Sequence, residues 1–175
     1  MKDPVDKLLE QWHEARPELD VSGLSAAVRI ELIAKLLRRG TEKALAKVGL
    51  KSWQYDVLSA LRRQGQPFEL PATELARASF LSSGAMTTRI DHLEALGFVE
   101  RRRDPLDRRG VRVRLTARGR KAVDAALNAR MRAADSSVRV LTPSERKQVE
   151  SSLRKLLLEL VADNAPAHVR LAAEG

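Results

Sequence analysis

The feature that most limits what this chain can become is the run from Val99 to Lys121, where ten Arg or Lys residues stand against three acids. A charge run of that density is ordinarily a solvated face or a polar tail. Here it contains VRVRL, in which Val111, Val113 and Leu115 alternate with Arg112 and Arg114. A period of two marks a strand with one buried face, so the charges ride on a shaped element. Phe98 to Arg103 reads as a second strand, and DPLDRRG between the two puts Pro, Asp and Gly where a hairpin loop needs them.

The residues ahead of the hairpin read as helices. Ser82 or Ser83 caps a helix that runs through Leu96 and stops at Gly97. Ala72 or Thr73 opens a shorter one, Glu74 to Ala78, and Phe80-Leu81 turns the chain between them. Two helices joined by a tight turn and followed by a hairpin make a winged helix-turn-helix.

Further upstream, Asp3, Pro4 and Asp6 form a helix start, with Val5, Leu8, Leu9 and Trp12 on one side and Pro17 as the stop. A long helix follows from about Ser25 to Lys47, ending at Gly49, and Ser52 caps a third that ends near Gly65. Downstream, Thr116 caps a helix toward Ser136, and the capping box Thr142-Pro143-Ser144-Glu145 precedes Leu153, Leu156, Leu157 and Leu160 at helical spacing. The expectation is a mainly α chain, one domain over 1–175, with the winged helix-turn-helix at 50–116. The helices of 1–49 and 117–175 would mainly form a dimer interface; wrapping the winged lobe is the alternative.

A net charge of +9 and pI near 10.4 favour a polyanionic partner. The absence of cysteine excludes disulfides, thiolate metal sites and thiol redox sensing by this chain. No apolar run reaches membrane-spanning length, and Met1-Lys-Asp-Pro lacks a signal-peptide core, which together point to a cytoplasmic protein without a membrane partner. His13, His92 and His168 are scattered, and neither a nucleophile triad nor a Gly-rich phosphate loop occurs. The chain is therefore read as a non-enzyme with no metal and no cofactor.

On the helix from Ser83 to Leu96, Met86 centres the inward face, with Ile90 and Leu93 within about 40° of it. Gly84, Thr87, Thr88 and Asp91 lie opposite, small and polar enough to meet base edges in a major groove. Ser82, Ser83, Gly84, Thr87 and Thr88 are the candidate contacts on this helix. Arg108 and Arg109 sit at the hairpin tip, suited to a minor groove, while Arg112 and Arg114 on the outer strand face suit phosphates. Arg89 falls about 60° from Met86, too near the core to aim at DNA. A cation there needs an anion, either a structural carboxylate or a bound ligand.

The stretch ATELARASFLSSGAMTTRIDHLEALGFVERRRDPLDRRGVRVRLTARG resembles the MarR family of bacterial transcription regulators, over about Leu50 to Gly119. ELA, the pattern TxRIDxLExxGxVER, DPxDRR and RLTxxG carry the likeness. It implies a dimer with winged lobes on a palindromic duplex operator, usually a repressor relieved by a small anionic or aromatic molecule. A finer resemblance is to the urate-responsive subgroup, the HucR and PecS type regulators, through the extra N-terminal helix and through Trp12, Asp56, Arg89 and Arg101. That likeness implies an effector, urate or a related anion, held by Arg89, stacked on Trp12 and displacing Asp56, with Arg101 at the wing's start serving the switch. Two rivals stand beside it: the same fold answering another phenolic or antibiotic-like ligand, and an architectural nucleic-acid binder without sequence preference.

Arg109→Ala is expected to weaken operator binding and flatten its salt dependence, whereas Thr88→Ala should relax base preference with little change in salt slope. Binding isotherms at several salt concentrations check this, and equal effects from both substitutions would contradict the face assignment.

Overall fold

The computed structural model describes residues 2–79, 81–105, 107 and 110–164. Phe80, Arg108, Arg109 and the end of the 117–175 segment lie outside the described residues. The order is α1 (Pro4–Ala15), α2 (Ser22–Ala46), α3 (Ser52–Arg62), β1 (Glu69–Pro71), α4 (Ala72–Ala78), α5 (Ser83–Ala95), β2 (Val99–Arg103), β3 (Val111–Leu115), α6 (Ala117–Val138) and α7 (Pro143–Asn164). Residues 1–175, read above as one domain, fall into two compact units, Met1–Ala134 and Asp135–Gly175. Among the described residues no helix is long and apolar enough to cross a membrane.

In the first unit, α1 starts as its sequence dictates. The Asp3 carboxylate accepts from the Val5 and Asp6 amides at 2.8 and 3.1 Å, and Asp6 returns the bond to the Asp3 amide at 2.7 Å. Arg29 of α2 then reaches both carboxylates, at 2.8 Å to Asp3 and 2.5 Å to Asp6, and Val5 is buried beneath. Asp20 accepts the Ser22 amide at 2.9 Å, so α2 begins three residues ahead of the expected Ser25. Gly49, at φ 76°, ends the turn that follows it.

Two expectations are corrected here. Ser52 does not cap α3: it is the first helical residue and its Oγ is buried without a partner among the described residues, while Gln54 closes the helix start by accepting the Lys51 amide at 2.8 Å. The hairpin is also not a two-stranded element alone, because β1 joins it to give the antiparallel order β1-β3-β2. Glu69 pairs with Arg114 and Pro71 with Arg112 on one edge of β3, while Arg101 pairs with Val113 on the other. Three residues are too short to show alternation; β1 is specified by the edge it completes.

The core brings together Val57, Leu58 and Leu61 of α3, Met86, Ile90 and Leu93 of α5, and Val99, Val113 and Leu115 of the sheet. Each such side chain contributes about 1.5–3 kcal/mol by leaving water. Val123 and Ala126 belong to the same cluster. The start of α6 is therefore part of the lobe's packing, where sequence assigned 117 onward mainly to dimerisation.

Gly119 is the tightest point. A Cβ there would lie 1.9 Å from the Phe98 carbonyl oxygen. The Thr116 hydroxyl accepts the Gly119 amide at 2.9 Å and donates to the Gly97 carbonyl at 2.8 Å, closing the joint between α5, β2 and α6.

The second unit, taken by itself, contains the end of α6 and α7. Thr142 and Glu145 exchange the capping-box bonds, at 2.7 Å from the Thr142 amide and 3.3 Å from the Glu145 amide. Leu153, Leu156, Leu157 and Leu160 are all exposed.

Gly119→Ala should destabilise by about 2 kcal/mol or more, seen as a fall of several degrees in Tm; an unchanged Tm would contradict the contact. Arg29 and the two amides hold the Asp3 carboxyl below its ordinary value. Its contribution is therefore present above the ordinary Asp range and is lost as pH falls through the lowered value. Asp3→Ala should accelerate amide exchange in α1 at neutral pH, a difference that vanishes in acid.

Candidate nucleic-acid interface and effector site

The core fixes how α5 faces. With Met86, Ile90 and Leu93 buried, Gly84, Thr87 and Thr88 project to solvent on the other side. Ser82 caps the helix, its Oγ accepting the Ala85 amide at 3.3 Å, and Ser83 opens it. The Thr87 and Thr88 hydroxyls donate back to the carbonyls of Ser83 and Gly84, at 2.9 and 3.2 Å, leaving their methyls and remaining lone pairs outward. A Cβ on Gly84 would meet nothing within 4 Å, so nothing inside the chain demands a glycine there. Its smallness matters only to something that approaches from outside. Asp91 departs from expectation: its carboxylate is bound by Arg101 at 2.5 Å.

Arg101 binds α5 twice more. Its amide donates to Glu94 at 2.9 Å and its guanidinium pairs with the same carboxylate. The residue at the start of the wing thus ties β2 to the outer flank of the recognition helix.

The strand arginines divide. Arg112, expected to meet phosphate, instead donates through Nε to Glu69 at 2.9 Å and through Nη1 to Asp104 at 3.3 Å. Those carboxylates face it because β1 and the hairpin's first loop residue flank β3, a neighbourhood that strand alternation alone does not reveal. Arg114 makes no ion pair among the described residues and lies toward the base of the hairpin, opposite Glu69 and Glu100. The loop closes tightly on Gly110, where a Cβ would stand 2.9 Å from that of Asp104 and 3.0 Å from that of Asp107.

On the other flank of α5, the Arg89 guanidinium lies 5.5 Å over the Trp53 ring, and His92 meets the same ring edge-on at 5.4 Å. Trp53 of α3 is therefore gripped by two residues one helical turn apart. Sequence reasoning missed this role of Trp53; the Arg-x-x-His spacing on the facing helix was the available signal. Arg89 and Asp56 do not form a direct ion pair, so the structural-carboxylate reading of Arg89 fails in that form. Asp56 is exposed at its surface yet crowded behind. Lost hydration pushes its carboxyl up, opposed by Arg89 first, then by Arg130 and Arg63. Trp12 lies on α1, which packs on α2; it is 43% exposed and makes no ring contact among the described residues.

Comparison with known proteins fits this architecture. A model of the MarR family matches residues 48–110, the span from the end of α2 to the hairpin loop. The transcriptional regulator PecS of Dickeya dadantii is 30% identical over 115 residues, covering 66% of this chain and 69% of that one. The chain belongs to the MarR family of transcription regulators. Mutant MarR from E. coli complexed with operator DNA is 25% identical, with a TM-score of 0.66 over 83% of this chain and 97% of the other. BpsR of Bordetella bronchiseptica, whose DNA binding is regulated by 6-hydroxynicotinic acid, shares the fold at 24% identity and a TM-score of 0.65, over 80% and 94%. In this MarR-family chain the matched segment coincides with the elements that carry Asp56, Arg89 and Arg101.

Arg101→Gln removes the tie between β2 and α5 and should lower Tm by roughly 2–4 °C while accelerating amide exchange at the end of α5. Unaltered exchange there would show that the core alone holds the helix.

Proposed function

We propose that the chain is a homodimeric repressor that binds a palindromic duplex operator through α5 and the hairpin and is released by a small planar anion, urate or a close relative. The observation that carries this reading is Arg89: a cation on the inner flank of the recognition helix that makes no ion pair among the described residues, lies over Trp53 and feels the charge of Asp56. An anion bound there draws on the same helix whose other face presents Ser82, Ser83, Gly84, Thr87 and Thr88. Arg108 and Arg109 at the hairpin tip complete the DNA contacts, with the minor groove as their place. Arg112 and Arg114 are left out of the contact set, the first because carboxylates engage it and the second because it sits at the hairpin's base.

The likeness to PecS supports the urate-type assignment, and the operator complex of the E. coli relative supports duplex DNA as partner. Exposed Ile33, Leu36 and Leu37 on α2, and the leucine face of α7, supply apolar surface for a second copy to cover. Trp12, exposed on α1, then stacks on the effector when the dimer forms, and Arg101 transmits the pull to the wing. A different phenolic ligand is the second reading, favoured because Arg89 lies over Trp53 and Trp12 makes no ring contact with it among the described residues. Coupling of about 1–3 kcal/mol, or 5- to 150-fold in affinity, is the size expected of such a switch.

Urate titrated into a protein–operator complex should release DNA from wild type, and Arg89→Gln should abolish the effect while keeping operator affinity. No release from wild type would sink the urate assignment. Operator and random-duplex affinities measured at one salt concentration test the regulator itself, since a ratio near one leaves an architectural binder. Asp56 titrates above its ordinary value, and its charge repels an anion beside Arg89. Effector affinity should therefore rise as pH falls through that titration, and Asp56→Asn should bind more tightly with the pH dependence gone.

A further inference from the structure

The base of the hairpin holds a second cationic feature. A cleft of about 310 Å³ opens between the α3–β1 connection and the start of α6, lined among others by Gln66, Phe68, Arg114, Thr116 and Arg120. Among the described residues no acidic side chain lines it.

Its two arginines differ from several others nearby. Arg62, Arg101, Arg102 and Arg112 each have a carboxylate: Asp124 at 2.7 Å, Asp91 at 2.5 Å, Glu100 at 2.7 Å and Glu69 at 2.9 Å. Arg114 has neither an ion pair nor a side-chain hydrogen bond among the described residues. Arg120 contacts the face of Phe68 at 5.6 Å and has no carboxylate partner among the described residues. Glu69, opposite Arg114 on β1, is already taken by Arg112. Two guanidinium groups therefore face one concavity with their charge unanswered by the fold, which favours an anion there.

Phe68 adds an independent sign. It is a non-glycine residue held at φ 61°, a backbone region that bulky side chains rarely adopt, and its ring lies between Arg120 and Arg62, the latter at 4.9 Å. Such strain persists where surrounding contacts over-determine it and gathers at ligand clamps.

We propose that this cleft is a binding site for a small phosphate-type oxyanion, with Arg114 and Arg120 as its charged donors. Paired guanidinium forks suit the tetrahedral, dianionic head of a phosphate. The volume lies at the lower end of small-molecule pockets, leaving room for a compact organic body, so a phosphate monoester is the ligand class. The site lies apart from the operator-facing surface: Arg114 is at the base of β3, and the loop that follows Arg103 is at its other end. A ligand here bridges β3 and α6 across Thr116, at the joint closed by the Gly97 and Gly119 contacts. The proposal does not depend on the identity of the effector at Arg89.

Amide NMR spectra titrated with inorganic phosphate and with ribose 5-phosphate, at ionic strength held constant with chloride, test it. The expected result is a saturable shift of the Gln66, Phe68, Thr116 and Ala117 amides. Arg120→Gln and Arg114→Gln should each weaken it by about tenfold or more, and Arg120→Lys should restore part of it. Arg120→Gln should keep the wild-type Tm and operator affinity. Tighter binding of the ester identifies a monoester, and equal binding identifies free phosphate as the occupant of the same site. Shifts that follow ionic strength alone, that survive both substitutions, or that centre on Thr87 and Thr88 would overturn the assignment.

Discussion

The pairing of Arg101 with Asp91 and Glu94 is the interaction on which the rest of the lobe's surface depends. A recognition helix and a wing contact one duplex usefully only if their spacing is fixed. The core sets the rotation of α5 through Met86, Ile90 and Leu93 but grips one face alone. Arg101 holds the outer flank to β2, and Thr116 and Gly119 hold the end of the helix to the start of α6. What is left facing outward is a row of small residues, among them Gly84, which no contact within the described chain requires.

The same logic sorts the excess charge. A net charge of +9 draws polyanions to the molecule without saying where they bind. Arg112 and Arg101 are consumed in tying strands and helix together, and Arg29 in fastening α1 to α2. Among the cations that make no ion pair within the described residues are Arg89 against Trp53 and the pair Arg114 and Arg120 around the basal cleft, and for these three a ligand is proposed.

Much of this was legible in the sequence. Helix starts at Asp3, Ser82 and Thr142 were readable because capping is local, a matter of one side chain and the next three amides. The inward face of α5 followed from helical period, and the hairpin from alternation. What could not be read were arrangements made by residues distant in sequence. β1 exists because β3 offers an edge. Arg112 is neutralised by Glu69, forty-three positions away, and Trp53 meets Arg89 and His92 only after α3 and α5 have packed. Ser52 misled because a serine before an apolar run fits a cap, yet Lys51 holds the N-cap position and Gln54 accepts its amide.

Function in this account rests on α5 having two occupied sides. One carries the surface proposed for base edges; the other carries Arg89, seated on Trp53 beside an aspartate that crowding has made easier to protonate. Trp53 is therefore the natural reporter of the switch. The most direct measurement is fluorine NMR of fluorotryptophan-labelled wild-type protein, its Trp12 and Trp53 resonances told apart by a reference spectrum of Trp12→Phe, followed through operator binding and then urate addition. The account predicts that the Trp53 resonance moves when urate binds and that operator release tracks that movement. Release of operator while the Trp53 resonance stays where it was would contradict it.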